Sequence, residues 1–534
     1  MEQDQLRVPA SNLKELSTTQ FGALSPAEMN LVLAAPEGVL AVCGPSDDDQ
    51  DRANDPSLAD NEPHGWGGDR QIRAEFIRWL CVDGRARYHI DPRGIQVQGA
   101  KITGRLDLSW VAVPFPLGLF NCRLTDNAYL VSIEIPDLDF RGSWFQALDC
   151  DRAKVKGSVF LSRGFRAQGE VRLVGAQIAG DLDCDGGTFM NPPRENISGS
   201  GTALNGDGIT VMGNIFLREN FRAEGEVYLI GAQINGDLNC AGGGFINPLK
   251  QGLRESGAAL RADRASVNGS VLFRDGFGAD GSVVLRSARI GGYFDCRNGT
   301  FRADLDCSNA SAGSIRDDEK SWPDQGRLHL NGFIFDRIYE GPQDAQSRLK
   351  WLGLQPEKPA ARRKFAAPQA YLQLAKVLRE AGDDHGAKRV LVEMEHRRGS
   401  QNFIDAVWRS VFRVTIGYGY CPLWAFWEVL VLIVLGWAVY ERSYVIRNIV
   451  PTDKDAYVAF KHDGQPPGYY PGFVPLIYSL ENSLPLVKLG QTEKWQPDPI
   501  SAIYLRYFLW FQILLGWFLA TLFVAGVTGV VHKE

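Results

Sequence analysis

The residues best placed to do chemistry lie between two long apolar runs near the C-terminus. Phe473 to Leu489 contains the apolar stretch Pro475-Leu476-Ile477-Tyr478-Ser479-Leu480, followed by Glu481, Asn482, Ser483, Pro485 and Lys488. Hydroxyls, an amide, a carboxylate and an ammonium crowded together suit ion handling, where oxygens replace hydration water and charged groups select by sign. An apolar stretch of about 10 to 14 residues is too short to cross a bilayer, so 473–489 reads as a re-entrant or interfacial element. Polar backbone at membrane depth is tolerated only when it is buried in protein or lines water. The expectation is therefore a pore lined by Tyr478, Ser479, Glu481, Asn482, Ser483 and Lys488.

No catalytic constellation competes with this reading. The chain has seven histidines, and His89, His329, His385 and His396 are not at metal-ligand spacing. No nucleophile motif is present, and the G-x-G strings fall in strand turns rather than opening a helix. Neither an enzyme, a metal nor a cofactor is expected. Nine cysteines, an odd number without a C-x-x-C pair, fit reduced thiols better than disulfides. A net charge of -6 gives no global nucleic-acid signature.

The flanking apolar runs must hold this segment. Leu423 to Tyr440 and Tyr507 to Val531 are long enough to span a bilayer, leaving 441–506 as an extracytoplasmic loop. Arg397, Arg398, Arg409 and Arg413 crowd the near side of the first span and Lys533 follows the second, which places both termini in the cytosol. The opening Met1 to Gln20 is polar and lacks a signal peptide's apolar core. Gly516 with Ala520, and Ala525 with Gly529, are small-residue pairs that allow close helix approach and hence a homo-oligomer. A water path needs at least three or four chains; a tetramer would suffice. Residues 403–422 read as an interfacial helix carrying Trp408, Arg409 and Arg413, then a bend. Within it, Thr415-Ile416-Gly417-Tyr418-Gly419 has the letters of a potassium filter but precedes the first span, and the bend is the ordinary explanation.

Ahead of the membrane part the sequence repeats itself. From Val155 to Ser311 the period is 56: Gly157-Ser158-Val159-Phe160-Leu161 returns as Gly213-Asn214-Ile215-Phe216-Leu217 and as Gly269-Ser270-Val271-Leu272-Phe273. Phe165, Phe221 and Phe277 follow, then Cys184, Cys240 and Cys296. Smaller G-x-(V/L)-x-L units recur every 11 or 12 residues, as at Gly157, Gly169 and Gly180. Such short strands cannot bury an apolar face alone, but stacked coils can, which is the logic of a β-solenoid. The expected fold is mainly β: a right-handed solenoid over 94–340, a capping helix within 66–93 carrying Ile72, Phe76, Ile77 and Leu80, a partly mobile segment 1–65, and a helical connector 341–402 with a tetratricopeptide-like hairpin. The cysteine column reads as small core hydrophobes, with a metal or redox column as the rival. Insertions after Phe189 and Phe245 form paired loops, either a binding face or neutral decoration. Arg166 with Arg222, and Arg218 with Arg274, recur at the repeat distance. They read either as a basic stripe for a nucleotide or oligonucleotide, or as part of a solvated mixed surface.

The G-x-(V/L)-x-L units, Gly417-Tyr418-Gly419-Tyr420-Cys421-Pro422 and Tyr478-Ser479-Leu480-Glu481-Asn482 resemble a group of bacterial membrane proteins with pentapeptide-like β-solenoid repeats ahead of a two-span module. The spacing departs from a strict five-residue rule, since Ile178 to Leu182 is four and Leu182 to Phe189 is seven. The order of span, short helix, polar loop and span is similar to that of two-helix pore-loop channels. A soluble sensor joined to a membrane module also resembles effectors of bacterial anti-phage systems. The resemblance implies a gated inner-membrane channel whose partners are lipid, further copies and a cytosolic ligand; the alternative is a non-conducting anchored scaffold for protein partners.

Overall fold

The computed structural model describes residues 10–48, 51–60, 65–195, 199–251, 257–356, 368–398, 403–420, 423–484 and 486–528. The chain divides into two compact units, Met1–Glu357 with Ala366–Gly382, and Lys358–Phe365 with Asp383–Glu534.

The first unit opens on helices α1 (Ala10–Phe21) and α2 (Pro26–Ala34). Ser25 and Glu28 form a reciprocal capping box that fixes the start of α2. Leu13, Leu31 and Val32 are fully buried, so these two helices are a packed part of the segment expected to be partly mobile. The capping helix expected within 66–93 to carry Ile72 starts only after it. Gln71–Arg73 form a strand parallel to Lys101–Thr103, and α3 runs only over Ala74–Val82, followed by α4 (Gly84–Tyr88). Ile72, Phe76, Ile77 and Leu80 are all buried, Ile72 from the strand. The Arg73 guanidinium is held at 2.8 Å from Glu28, while Arg78 donates to the Asp107 carbonyl.

The middle of the chain is a β-solenoid of about 10 turns. Its strands are mostly two residues long and assemble into three parallel sheets of 18, 10 and 10 strands. One coil takes in Arg166–Ala167, Val171–Arg172, Gln177–Ile178 and Leu182–Asp183 before Thr188 returns beside Arg166. From Arg166 to Thr188 is 22 residues, from Thr188 to Arg222 is 34, and from Arg222 to Gly244 is again 22. The period of 56 is thus a pair of unequal coils, the longer one carrying the insertion. Each insertion is closed at its neck by the same residue: Asn191 donates to Gly199 and Thr202, and Asn247 donates to Ala258.

Three columns hold the coils together. Phe145, Phe165, Phe189, Phe221, Phe245, Phe277 and Phe301 stack at ring separations of 5.2 to 5.5 Å, a tilted aromatic ladder along the core. At one corner Asp137, Ser158, Asp181, Asn214, Asp237 and Ser270 each accept a backbone N–H from the next coil, at 2.6 to 3.1 Å. The preceding glycine leaves room for that bond: a Cβ on Gly213 would lie 2.2 Å from the Asp181 carboxylate. This is why the residue after Gly157, Gly180, Gly213, Gly236 and Gly269 is Ser, Asp or Asn. Cys184, Cys240 and Cys296 are buried and free, separated by intervening coils that place Leu217 and Phe273 between them. Two coils put successive thiols about 9.6 Å apart, too far for a disulfide or a shared metal. They serve as core hydrophobes.

At the last coils, Arg348 of α5 (Ala345–Gly353) makes a bidentate pair with Asp317 at 2.6 and 2.7 Å, both fully enclosed. Helix α6 (Pro368–Glu380) buries Tyr371, Leu374, Ala375 and Leu378, and its Gln373 donates to the Phe335 carbonyl of the final strand. The connector's first helix therefore docks on the solenoid end.

The second unit contains α7 (Asp384–Arg397), α8 (Phe403–Ile416), α9 (Leu423–Val445), α10 (Lys454–Asp463), α11 (Pro475–Ser483), α12 (Gln491–Lys494) and α13 (Ile503–Val527). Helices α9 and α13 are long and apolar enough to cross a membrane. The first continues five residues past Tyr440, and the second starts four before Tyr507. Helix α8 is amphipathic, exposing Phe403, Ile404, Val407, Trp408 and Val414 while Arg409 pairs with Glu395. Gly417–Gly419 is a short turn with Tyr418 left-handed at φ 57°; this is the bend.

The connection between α9 and α13 is a folded subdomain rather than an open loop. Ile449–Pro451 pairs antiparallel with Trp495–Pro497. Trp495 is fully buried among the rings of Tyr444, Phe460, Tyr470 and Phe473, at 5.3 to 5.7 Å.

Candidate functional site

Helix α11 is nine residues long, starts with Pro475 at its first turn, and packs between α9 and α13. Pro475 fits a helix start because its missing N–H would be unpaired there anyway. Its polar face meets a polar point on each long helix. Ser479 Oγ donates to the Ile433 carbonyl at 2.7 Å. The Gln512 amide donates to Ser479 Oγ at 2.9 Å and to Ser483 Oγ at 2.8 Å, and its carbonyl accepts from the Tyr440 hydroxyl at 2.6 Å. Ser479, Ser483, Gln512 and Tyr440 are all fully buried. This closed network satisfies every side chain that it removes from solvent.

Two glycines make the approach possible. A Cβ on Gly436 would lie 2.2 Å from Ser479 Oγ and 2.4 Å from Gln512 Nε2, and one on Gly516 would lie 2.2 Å from the Ser483 carbonyl oxygen. The close approach expected of Gly516 is made by α11 of the same chain. Ala520 and Ala525 are half-buried on α13, and Gly529 lies outside the described residues.

The remaining pore candidates divide between two roles. Tyr478 sits in the aromatic core, its ring 4.9 Å from Tyr440, and Asn482 donates back to the Tyr478 carbonyl. Glu481 accepts from the backbone N–H groups of Gly490, Gln491 and Thr492 and from the Thr492 hydroxyl at 2.8 Å. Its carboxylate is a clasp that ties the end of the polar loop back to α11. Lys488 is exposed, as are Leu486 and Leu489 beside it. Below the clasp, Lys461 pairs with Asp498 at 2.5 Å. Burial opposes ionisation of Asp498, but Lys461, the Ser501 hydroxyl and the Ile500 N–H outweigh it and draw its pKa down to about 2.

Tyr440, Gly436 and Gln512 are the members that sequence reasoning missed. The available signal was Gln512, an amide inside an otherwise apolar span, where a polar group needs a partner.

The four repeat arginines do not form one stripe. Arg166 and Arg222 are two coils apart with Thr188 between them, and Arg218 and Arg274 are likewise separated by a coil. Arg218 grips Asp185 at 2.6 Å, Arg222 pairs with Glu224 and Arg274 with Asp275, whereas Arg166 lies over the Trp144 ring. Among the described residues no group of three or more His, Cys, Asp or Glu side chains could hold a metal.

Comparison of the chain with protein-family models, with curated proteins and with solved structures finds no match in any of the three.

Proposed function

We propose that the second unit is the pore module of an oligomeric bacterial inner-membrane protein, with α9 and α13 as spans, α11 as a re-entrant helix and both termini cytosolic. One observation carries this reading. Ser479 and Ser483 meet the long helices at Ile433, Gly436, Gln512 and Gly516, within three residues of the midpoints of Leu423–Val445 and Ile503–Val527. A helix that reaches the middle of two spans and then turns back puts residues 486–490 at membrane depth. Backbone there must be covered by protein or line water. Leu486, Lys488 and Leu489 are exposed within one chain, so further copies must enclose them around a water path. Helix α8 then lies in the interface on its apolar face. The solenoid, wound right-handed as parallel crossovers are and capped by α1 to α4, is the cytosolic sensor. A role in anti-phage defence fits a soluble sensor joined to a lethal pore.

The competing reading, an anchored scaffold that conducts nothing, differs in one measurement. Purified protein reconstituted in planar bilayers is expected to give discrete current steps, and Lys488→Glu is expected to shift them toward cation selectivity. Inserted, oligomeric protein that stays silent with cytosolic extract added, for wild type and for a chain lacking residues 1–402, would leave the scaffold.

A further inference from the structure

Several solenoid arginines face a carboxylate on the same or the next coil, as in Arg141–Asp139, Arg172–Asp151 and Arg218–Asp185, whereas others, such as Arg152 and Arg264, form no such pair among the described residues. A cavity of about 370 Å³ gathers three arginines of the second kind around one concavity. It lies between the 51–56 segment and the solenoid surface, and Arg52, Arg163 and Arg166 all line it. These three arginines are exposed, and none forms a salt bridge to a carboxylate among the described residues. The two carboxylates in the wall are already engaged: Asp51 accepts from the Ser46 hydroxyl and the Ala53 N–H, and Asp55 accepts from the Ser57 N–H. With Asp51 and Asp55 ionised the wall still carries one net positive charge from its three guanidinium groups, and planar N–H forks match phosphate oxygens better than a point charge does. The volume suits a ligand of nucleotide size.

We infer that this groove binds a small phosphate-bearing ligand of nucleotide size, its phosphate held by Arg52, Arg163 and Arg166. The site is independent of whether the second unit conducts. It also differs from the stripe suggested by repeat spacing, sharing only Arg166 with it. Trp144 lines the same cavity and supplies an intrinsic reporter.

The test uses full-length protein in detergent, titrated with a nucleoside monophosphate, inorganic phosphate and the uncharged nucleoside, followed by calorimetry and Trp fluorescence. Saturable binding of the monophosphate, tighter than that of phosphate, and none of the nucleoside, is expected. Affinity should fall at least about tenfold in the Arg163→Ala/Arg166→Ala double variant, the cost of a lost charge-assisted contact, and should weaken with added salt. Arg289→Ala, which lies several coils further along the solenoid and does not line the groove, should bind as wild type, with an unchanged melting profile certifying both variants as folded. Absence of monophosphate binding at millimolar concentration, binding that survives the double variant, or phosphate binding as tightly as the monophosphate would overturn the inference.

Discussion

The Gln512 side-chain amide lies 2.8 Å from the Ser483 hydroxyl, joining the middle of one long helix to the end of a short one. Removing the Gln512 amide takes the buried Tyr440 hydroxyl's acceptor and a donor from Ser479 and Ser483, which keep their bonds to the Ile433 and Ser479 carbonyls. Gln512→Leu is expected to lower the stability of the second unit by about 1 to 3 kcal/mol, the cost of stranding buried polar groups. Thermal unfolding in detergent measures this, and Leu514→Ala, on the exposed side of α13, should change it by less than about 0.5 kcal/mol.

Gly516→Ala tests the approach of α11 from the other side. The added methyl meets backbone at Ser483 rather than a movable side chain, so about 1 to 3 kcal/mol of destabilisation is expected. Ala520→Gly, one turn along, should cost only about 1 kcal/mol through helix propensity. Equal effects of the two would show that the glycine is not a contact point.

Acid should loosen the subdomain through Asp498. Its folded pKa near 2 lies below the ordinary aspartate value of about 3.9, so the stabilisation is complete above that value and is lost as pH falls from about 4 through 2. Replacing Lys461 with Met should flatten the dependence of the melting temperature on pH in that window. An unchanged slope would mean that the pair contributes nothing there.

In the solenoid, Asn214→Ala removes the acceptor for the Asp237 N–H and a donor to Asp181, and about 1 to 2 kcal/mol of lost stability is expected. Met212→Ala, two residues away and exposed, should be within about 0.5 kcal/mol of wild type.

Thiol labelling read residue by residue checks the cysteine column. Burial pushes the Cys184, Cys240 and Cys296 thiols up, so iodoacetamide should modify them only after denaturation. Labelling of the native protein would contradict the closed core.

Much of this architecture was readable from the chain, because identical residues recurred at a fixed distance and two apolar runs had membrane length. What the repeat hid was the coil. Its insertions after Phe189 and Phe245 make every second coil longer, so the strongest period in the letters is twice the structural one. The corner ladder falls on the unassigned x of the G-x-(V/L)-x-L unit, because the partner of that residue lies in the next coil. Ser479 and Ser483 read as pore-facing for a similar reason: Gln512, 33 and 29 residues further on, is a single polar letter in an apolar run.

The pairing of a short coil with a long one also limits how this array can change in length. Loss of one coil would set two insertions, or none, against each other and break the corner ladder's alternation. Loss of Gly213 through Asn268, 56 residues, would join Met212 to Gly269 and restore every column. Gene duplication or deletion in such a chain therefore works in double-coil quanta, each moving the solenoid's far end by about 9.6 Å while leaving its side-chain texture unchanged.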